Sequence, residues 1–175
     1  MIPVFSALTA VGAFVKLPLG PVPVSLQSLF VILAGLMLGP KAGAMSQLVY
    51  LLLGLSGLPV FTSGGGPGYV LMPSFGYLLG YVLAAWVAGH LGQTVLKDRR
   101  PTQVRVLAVA VVASLTIYCI GTPWLALNLR YVAHKPAAFG FVLKSGLLIF
   151  VPGDLLKCLA IAAIYPKLKL PVYRV

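Results

Sequence analysis

The chain has 175 residues, 60% of them hydrophobic and only 9% charged, with a mean hydropathy of +1.03. A soluble domain carries about 25% charged residues, so the composition excludes a water-soluble fold and predicts an integral membrane protein. The net charge of +11 reflects scarce acids and basic membrane loops. It does not mark a nucleic-acid surface, because the aromatics sit within apolar runs and no basic-aromatic segment exists.

A spanning helix needs about 20 mostly apolar residues. Six such stretches are predicted, at roughly 2–16, 25–39, 42–58, 74–94, 104–128 and 139–165, giving an all-α membrane protein of six transmembrane helices in one domain, 1–175. No cleavable signal peptide is expected, since the first apolar segment lacks a charged leading region and runs into prolines. That first span carries Ser6 and Ala10, with Ala7 and Ala13 nearby. Such a small-residue face packs internally or docks a partner helix.

Between the first two spans lies Leu17-Pro-Leu-Gly-Pro-Val-Pro-Val-Ser25, whose prolines 18, 21 and 23 favour a stiff extended segment. The second span opens on Gln27, and the third carries Gln47 and Tyr50. Both are short for a full crossing. The segment Gly57-Leu-Pro-Val-Phe-Thr-Ser-Gly-Gly-Gly-Pro-Gly68 is Gly-rich, with backbone N–H groups able to face an anion. It is no P-loop, for Gly-x-x-x-x-Gly-Lys-Ser/Thr occurs nowhere, and ATP is not bound by that device. Span four has Tyr77 and Tyr81 one turn apart, and a stripe of Gly76, Gly80, Ala84 and Ala88 that permits close helix packing. Span five holds Tyr118 and Asn128. Cys119 and Cys158 read as small residues inside helices, not as a disulfide or metal site.

Lys and Arg set the orientation. Lys41, then Lys97, Arg99, Arg100 and Arg105, then Lys167, Lys169 and Arg174 fall on one side, which predicts cytoplasmic termini. Lys16, Arg130, Lys135 and Lys144 fall on the other.

Only two acids exist, and there is no Glu. Asp98 lies in a basic loop; Asp154 lies inside the sixth apolar segment. A lone carboxylate at membrane depth is a functional-site hypothesis by default. Lys157 follows by three residues, on the same helix face. Pro152-Gly153 just precedes the acid and predicts a kink that frees the Leu148 carbonyl. A broken helix beside a charge pair is one way to build a binding site in a membrane. The residues alone leave three readings: a ligand site, a neutralising salt bridge, or a proton relay. Catalysis is not expected, because Lys144 and Ser145 are adjacent and so do not face each other, while His90 and His134 have no carboxylate partner in sequence. No metal or cofactor is expected either.

Gly20-Pro-Val-Pro-Val-Ser-Leu-Gln27, Leu38-Gly-Pro-Lys41, Tyr50-Leu-Leu-Leu-Gly54, Gly57-Leu-Pro-Val-Phe61, Gly76-Tyr-Leu-Leu-Gly80 and Pro152-Gly-Asp-Leu-Leu-Lys157 occur in this order. Together they resemble the BioY family, the biotin-binding S components of energy-coupling factor (ECF) transporters, over about residues 6–160. The chain departs from the usual pattern at Met72-Pro-Ser-Phe75. The resemblance implies a six-helix S-component fold. It also implies a high-affinity biotin site at Asp154 and Lys157, covered by the Pro-rich and Gly-rich loops. The implied partners are a transmembrane coupling protein and two ATPases, with Ser6 and Ala10 facing the coupling protein. Biotin offers ureido N–H groups to a carboxylate and a ureido carbonyl to an ammonium, which suits Asp154 and Lys157; the opposite end, Lys157 on the valerate, remains an alternative. Tyr77 and Phe61 are then candidate walls for the thioether ring. Gly65 and Ser63 are candidates for the valerate, and Gln27 either orders the first loop or touches substrate. A stand-alone proton-coupled transporter is the alternative function, and a scaffolding subunit a third.

Overall fold

The computed structural model describes residues 1–96, 101–134 and 138–167. Lys97, Arg99, Arg100, Lys135, Lys169 and Arg174, used above for orientation, and the second acid, Asp98, lie outside the described residues. Five helices come first: α1 (Ile2–Phe14), α2 (Gln27–Leu38), α3 (Pro40–Leu55), α4 (Phe75–Val95) and α5 (Gln103–Tyr131). The sixth helical segment is composite. It runs as α6 (Phe139–Leu143), a π-helical turn (Lys144–Leu148) and α7 (Val151–Ile164).

These six segments follow the six predicted spans. Phe75–Val95, Gln103–Tyr131 and Phe139–Lys167 are long and apolar enough to cross a membrane, while Ile2–Phe14 and Gln27–Leu38 are shorter apolar helices. At 1.5 Å per residue, the 12 residues of α2 rise only about 18 Å. Its shortness has a local cause: α2 stops at Gly39, whose φ of 81° is a left-handed conformation that favours glycine, and Pro40 starts α3 directly.

Helix α4 is central, packing against α2, α3 and α5. Small residues set its spacing. Ala84, Ala85 and Ala88 are fully buried. A side-chain carbon at Gly35 of α2 would run into the Ala85 carbonyl and lie 2.8 Å from Ala88 Cβ. Gly76 and Gly80 face Trp124 and Ile117 of α5 in the same way, so the stripe seen in the sequence serves internal packing. Close backbone approach substitutes for the hydrophobic drive that lipid removes.

The two unusual connections fold over one end of this bundle. In the first, β1 (Lys16–Leu17) and β2 (Val24–Ser25) pair antiparallel, Lys16 opposite Ser25, with the prolines in the turn. In the third, Gly57, Gly64 and Gly66 take φ values of 111°, 114° and 103°, and Phe61 pairs with Gly64 in a tight turn. The Gly64 amide bonds the Phe61 carbonyl, and the Gly66 amide bonds the Gly54 carbonyl at 2.7 Å. These two N–H groups thus knit the loop together instead of facing an anion.

Candidate functional site

Asp154 sits in the first turn of α7, four residues after its cap Phe150. The break in the sixth segment explains how a carboxylate is tolerated there: a helix N-terminus carries partial positive charge. The break lies at the π-helical turn, ahead of the kink expected at Pro152. Pro152 occupies the first turn, where its lack of an N–H costs nothing. The distortion starts earlier, with the Ile149 amide reaching back to the Lys144 carbonyl at 3.1 Å.

Asp154 and Lys157 are each 8% exposed. Lys157 Nζ donates to Asp154 Oδ1 at 2.6 Å. It also donates to Ser28 Oγ at 3.0 Å and to the Ser25 carbonyl. Ser28 Oγ donates to Asp154 Oδ1 at 2.9 Å, and the Tyr118 hydroxyl donates to Oδ2. Three elements therefore converge on the pair: the β2–α2 junction, α5 and α7. A buried charge must be paired and hydrogen-bonded to survive desolvation, and here both oxygens and the ammonium are engaged.

The pair lies in a narrow, partly open cavity. Val22 and Pro23 of the first connection, with Thr62 and Ser74 of the third, cover it. Tyr77, Leu78 and Tyr81 of α4, Ile117 and Tyr118 of α5, and Phe150 form its walls. The Tyr77 and Phe150 rings stack at 5.6 Å. Tyr77 is fixed at both ends: its ring fills the space left by Gly121, and its hydroxyl donates to the Gly146 carbonyl at 2.6 Å, inside the π-helical turn.

The other residues singled out from the sequence divide. Gln27 lines the cavity, but its amide is committed. It accepts from Ser25 Oγ at 2.8 Å and donates to the Tyr50 hydroxyl at 2.6 Å, which donates on to the Val60 carbonyl at 3.0 Å. Gln27 thus ties the first connection to the third. Phe61 is buried outside the cavity lining, its ring 5.4 Å from Tyr50 and 4.5 Å from Tyr69. Gly65 packs where a Cβ would strike the Leu58 carbonyl, and Ser63 is exposed; neither lines the cavity. Their neighbour Thr62 does. Ser6 turns inward, donating to the Ser46 carbonyl of α3 at 2.6 Å, and Ala10 is half-buried against the core. The outward stripe of α1 is Val4, Ala7, Val11 and Phe14. Cys158 is buried beside Ser114 at 3.5 Å, Cys119 is exposed, and among the described residues no group of three metal ligands occurs. Sequence reasoning missed Ser28 and left Tyr118 outside the site. Nothing marks a serine or tyrosine within an apolar helix as a ligand to a carboxylate on another.

The fold and this cavity together define a class first: a helical membrane protein with a buried, charge-bearing cavity under two loops. The chain belongs to the BioY family, whose family model matches residues 1–174. The probable biotin transporter BioY of Lysinibacillus sphaericus is 44% identical over 163 residues, which cover 93% of this chain and 81% of that protein. The biotin transporter BioY of Thermotoga maritima is 38% identical over 170 residues, covering 95% and 92%. The 2.1 Å crystal structure of the S-component for biotin from an ECF-type ABC transporter superposes with a TM-score of 0.82 at 28% identity, covering 96% of this chain and 88% of that one.

Proposed function

We propose that this chain is the biotin-binding S component of an ECF transporter, a transport subunit and not an enzyme. The observation that carries this reading is the Asp154–Lys157 pair set in a cavity with aromatic walls, in a member of a family whose relatives are named biotin transporters. In this reading the ureido N–H groups of biotin donate to Asp154 and the ureido carbonyl accepts from Lys157. Charge-assisted bonds of this kind are worth roughly 1.5–3 kcal/mol each. The thioether ring lies between Tyr77, Phe150 and Ile117. Ser28 and Tyr118 hold the carboxylate in place, so that its orientation is set before the ligand arrives.

The loops over the cavity face outward and both termini are cytoplasmic, as the Lys and Arg distribution favours. A transmembrane coupling protein and two ATPases supply the energy, since the chain carries no nucleotide-binding motif. The coupling protein meets α1 along the side bearing Val4, Ala7 and Val11, next to Ala10, while Ser6 serves the α1–α3 contact from within. The test is uptake of labelled biotin into cells lacking a biotin transporter of their own. Uptake is expected when the chain is co-expressed with an ECF coupling protein and its ATPases, and is lost when the ATPases are inactivated. Full uptake by the chain alone, collapsing with the proton gradient, would favour a secondary transporter instead.

A further inference from the structure

The cavity holds a charge pair, and a second cation, Lys16, bonds the backbone of one of its lining residues, Thr62. Lys16 begins β1 directly opposite Ser25 of β2. Residues facing each other in an antiparallel pair carry their side chains on the same face. Ser25 is buried and lines the cavity; Lys16 is exposed and lines the adjoining cleft beside Val15, Leu26 and Leu156. Its ammonium donates to the Thr62 carbonyl in the third connection. Thr62 lines the cavity too, its hydroxyl bonded to the Tyr69 hydroxyl at 3.0 Å, and that to Ser74 Oγ at 3.0 Å. The Lys16 side chain therefore crosses from one covering loop to the other. An ammonium has three donors, and the Thr62 carbonyl takes one.

We propose that Lys16 selects the tail of the substrate: it binds the carboxylate of a ligand whose ring is seated at Asp154 and Lys157. This rests on the reading of the site as a biotin site and names the group that meets the valerate. Gly65, Ser63 and Lys16 all lie outside the cavity lining, but two of the glycine-loop amides are spent within the loop, whereas the Lys16 ammonium sits on the carbonyl of Thr62, which lines it. An anion held by Lys16 beside Thr62 would strengthen the bridge between the loops.

A plain latch between the loops would act on any ligand alike, whereas a carboxylate receptor acts only on charged tails. The experiment is equilibrium binding of biotin and of biotinamide, whose tail is neutral, to the wild-type chain, Lys16→Met and Lys16→Arg. Methionine keeps the stem without the charge. Lys16→Met is expected to weaken biotin binding about tenfold or more while leaving biotinamide within about twofold, and Lys16→Arg is expected to keep most of the preference for biotin. Unchanged biotinamide binding also reports that the variant is folded. Equal weakening of both ligands, or of neither, would overturn the assignment while leaving the biotin site standing. Failure of the wild type to bind biotin would overturn the site reading itself.

Discussion

Helix α4 and the sixth helical segment both wall the cavity, and they are built on opposite plans. Helix α4 is continuous for 21 residues and is pressed between α2, α3 and α5 by glycines and alanines. The sixth segment is interrupted by a π-helical turn and restarts at Val151 with Pro152 in its first turn. It packs mainly on α5 and more sparingly on α2, and apolar clefts flank it on either side: one at Tyr118, Cys119 and Phe139, the other at Val15, Leu26 and Leu156. The tight wall gives the cavity its shape, through Tyr77 and Tyr81. The broken wall gives it charge, because a helix N-terminus carries the partial positive charge that favours a buried carboxylate. Precision and polarity are thus assigned to different helices.

The largest expected effect comes from breaking the tight wall. Gly35→Val places a branched side chain against the Ala85 backbone and Ala88. Helices in contact through their backbones cannot absorb it, so the yield of monodisperse protein in detergent should collapse. Next come the charges of the broken wall. Asp154→Asn keeps the side-chain shape and leaves Lys157 bonded to Ser25 and Ser28, so the protein should still fold, with a lowered melting temperature, while biotin binding weakens more than tenfold. Lys157→Ala should weaken binding by a similar factor and also lower the melting temperature, because removing one partner of a buried pair costs about 3–5 kcal/mol. A smaller loss is expected from Tyr118→Phe, which deletes one of three donors to Asp154: roughly three- to tenfold in the dissociation constant, given about 1.5–3 kcal/mol for a bond to a charged group offset by relaxation around it. Ser63→Ala should change binding by less than about twofold, within the usual range for an exposed substitution, since Ser63 does not line the cavity.

The same contrast decides what could be read from the sequence. Six apolar segments, the interrupted sixth helix and the Asp154–Lys157 pair were legible, because hydropathy, proline and lone charges carry strong signals in a membrane protein. The small-residue stripe of α4 was legible as packing for the same reason. The partners of Asp154 were not. Ser28 and Tyr118 stand 126 and 36 residues from the acid, and their hydroxyls look like any others until the helices are placed. The Gly-rich connection was legible as glycine-dependent but not in its fold. Its left-handed residues let Phe61 turn into the Tyr50–Tyr69 cluster, which takes that ring out of the cavity and brings Thr62 in. A shift of one residue along a tight turn reverses what faces the site, and periodicity says nothing about it.

The central claim is that Asp154 and Lys157, held by Ser28, Tyr118 and Ser25, form the biotin-recognising end of the cavity. Equilibrium binding of biotin to the purified, detergent-solubilised chain tests it most directly, with Asp154→Asn measured beside the wild type and folding of both followed by thermal denaturation. The account predicts tight binding by the wild type and a loss of more than tenfold in a variant that is still folded. Equal affinity in the two folded proteins would contradict it.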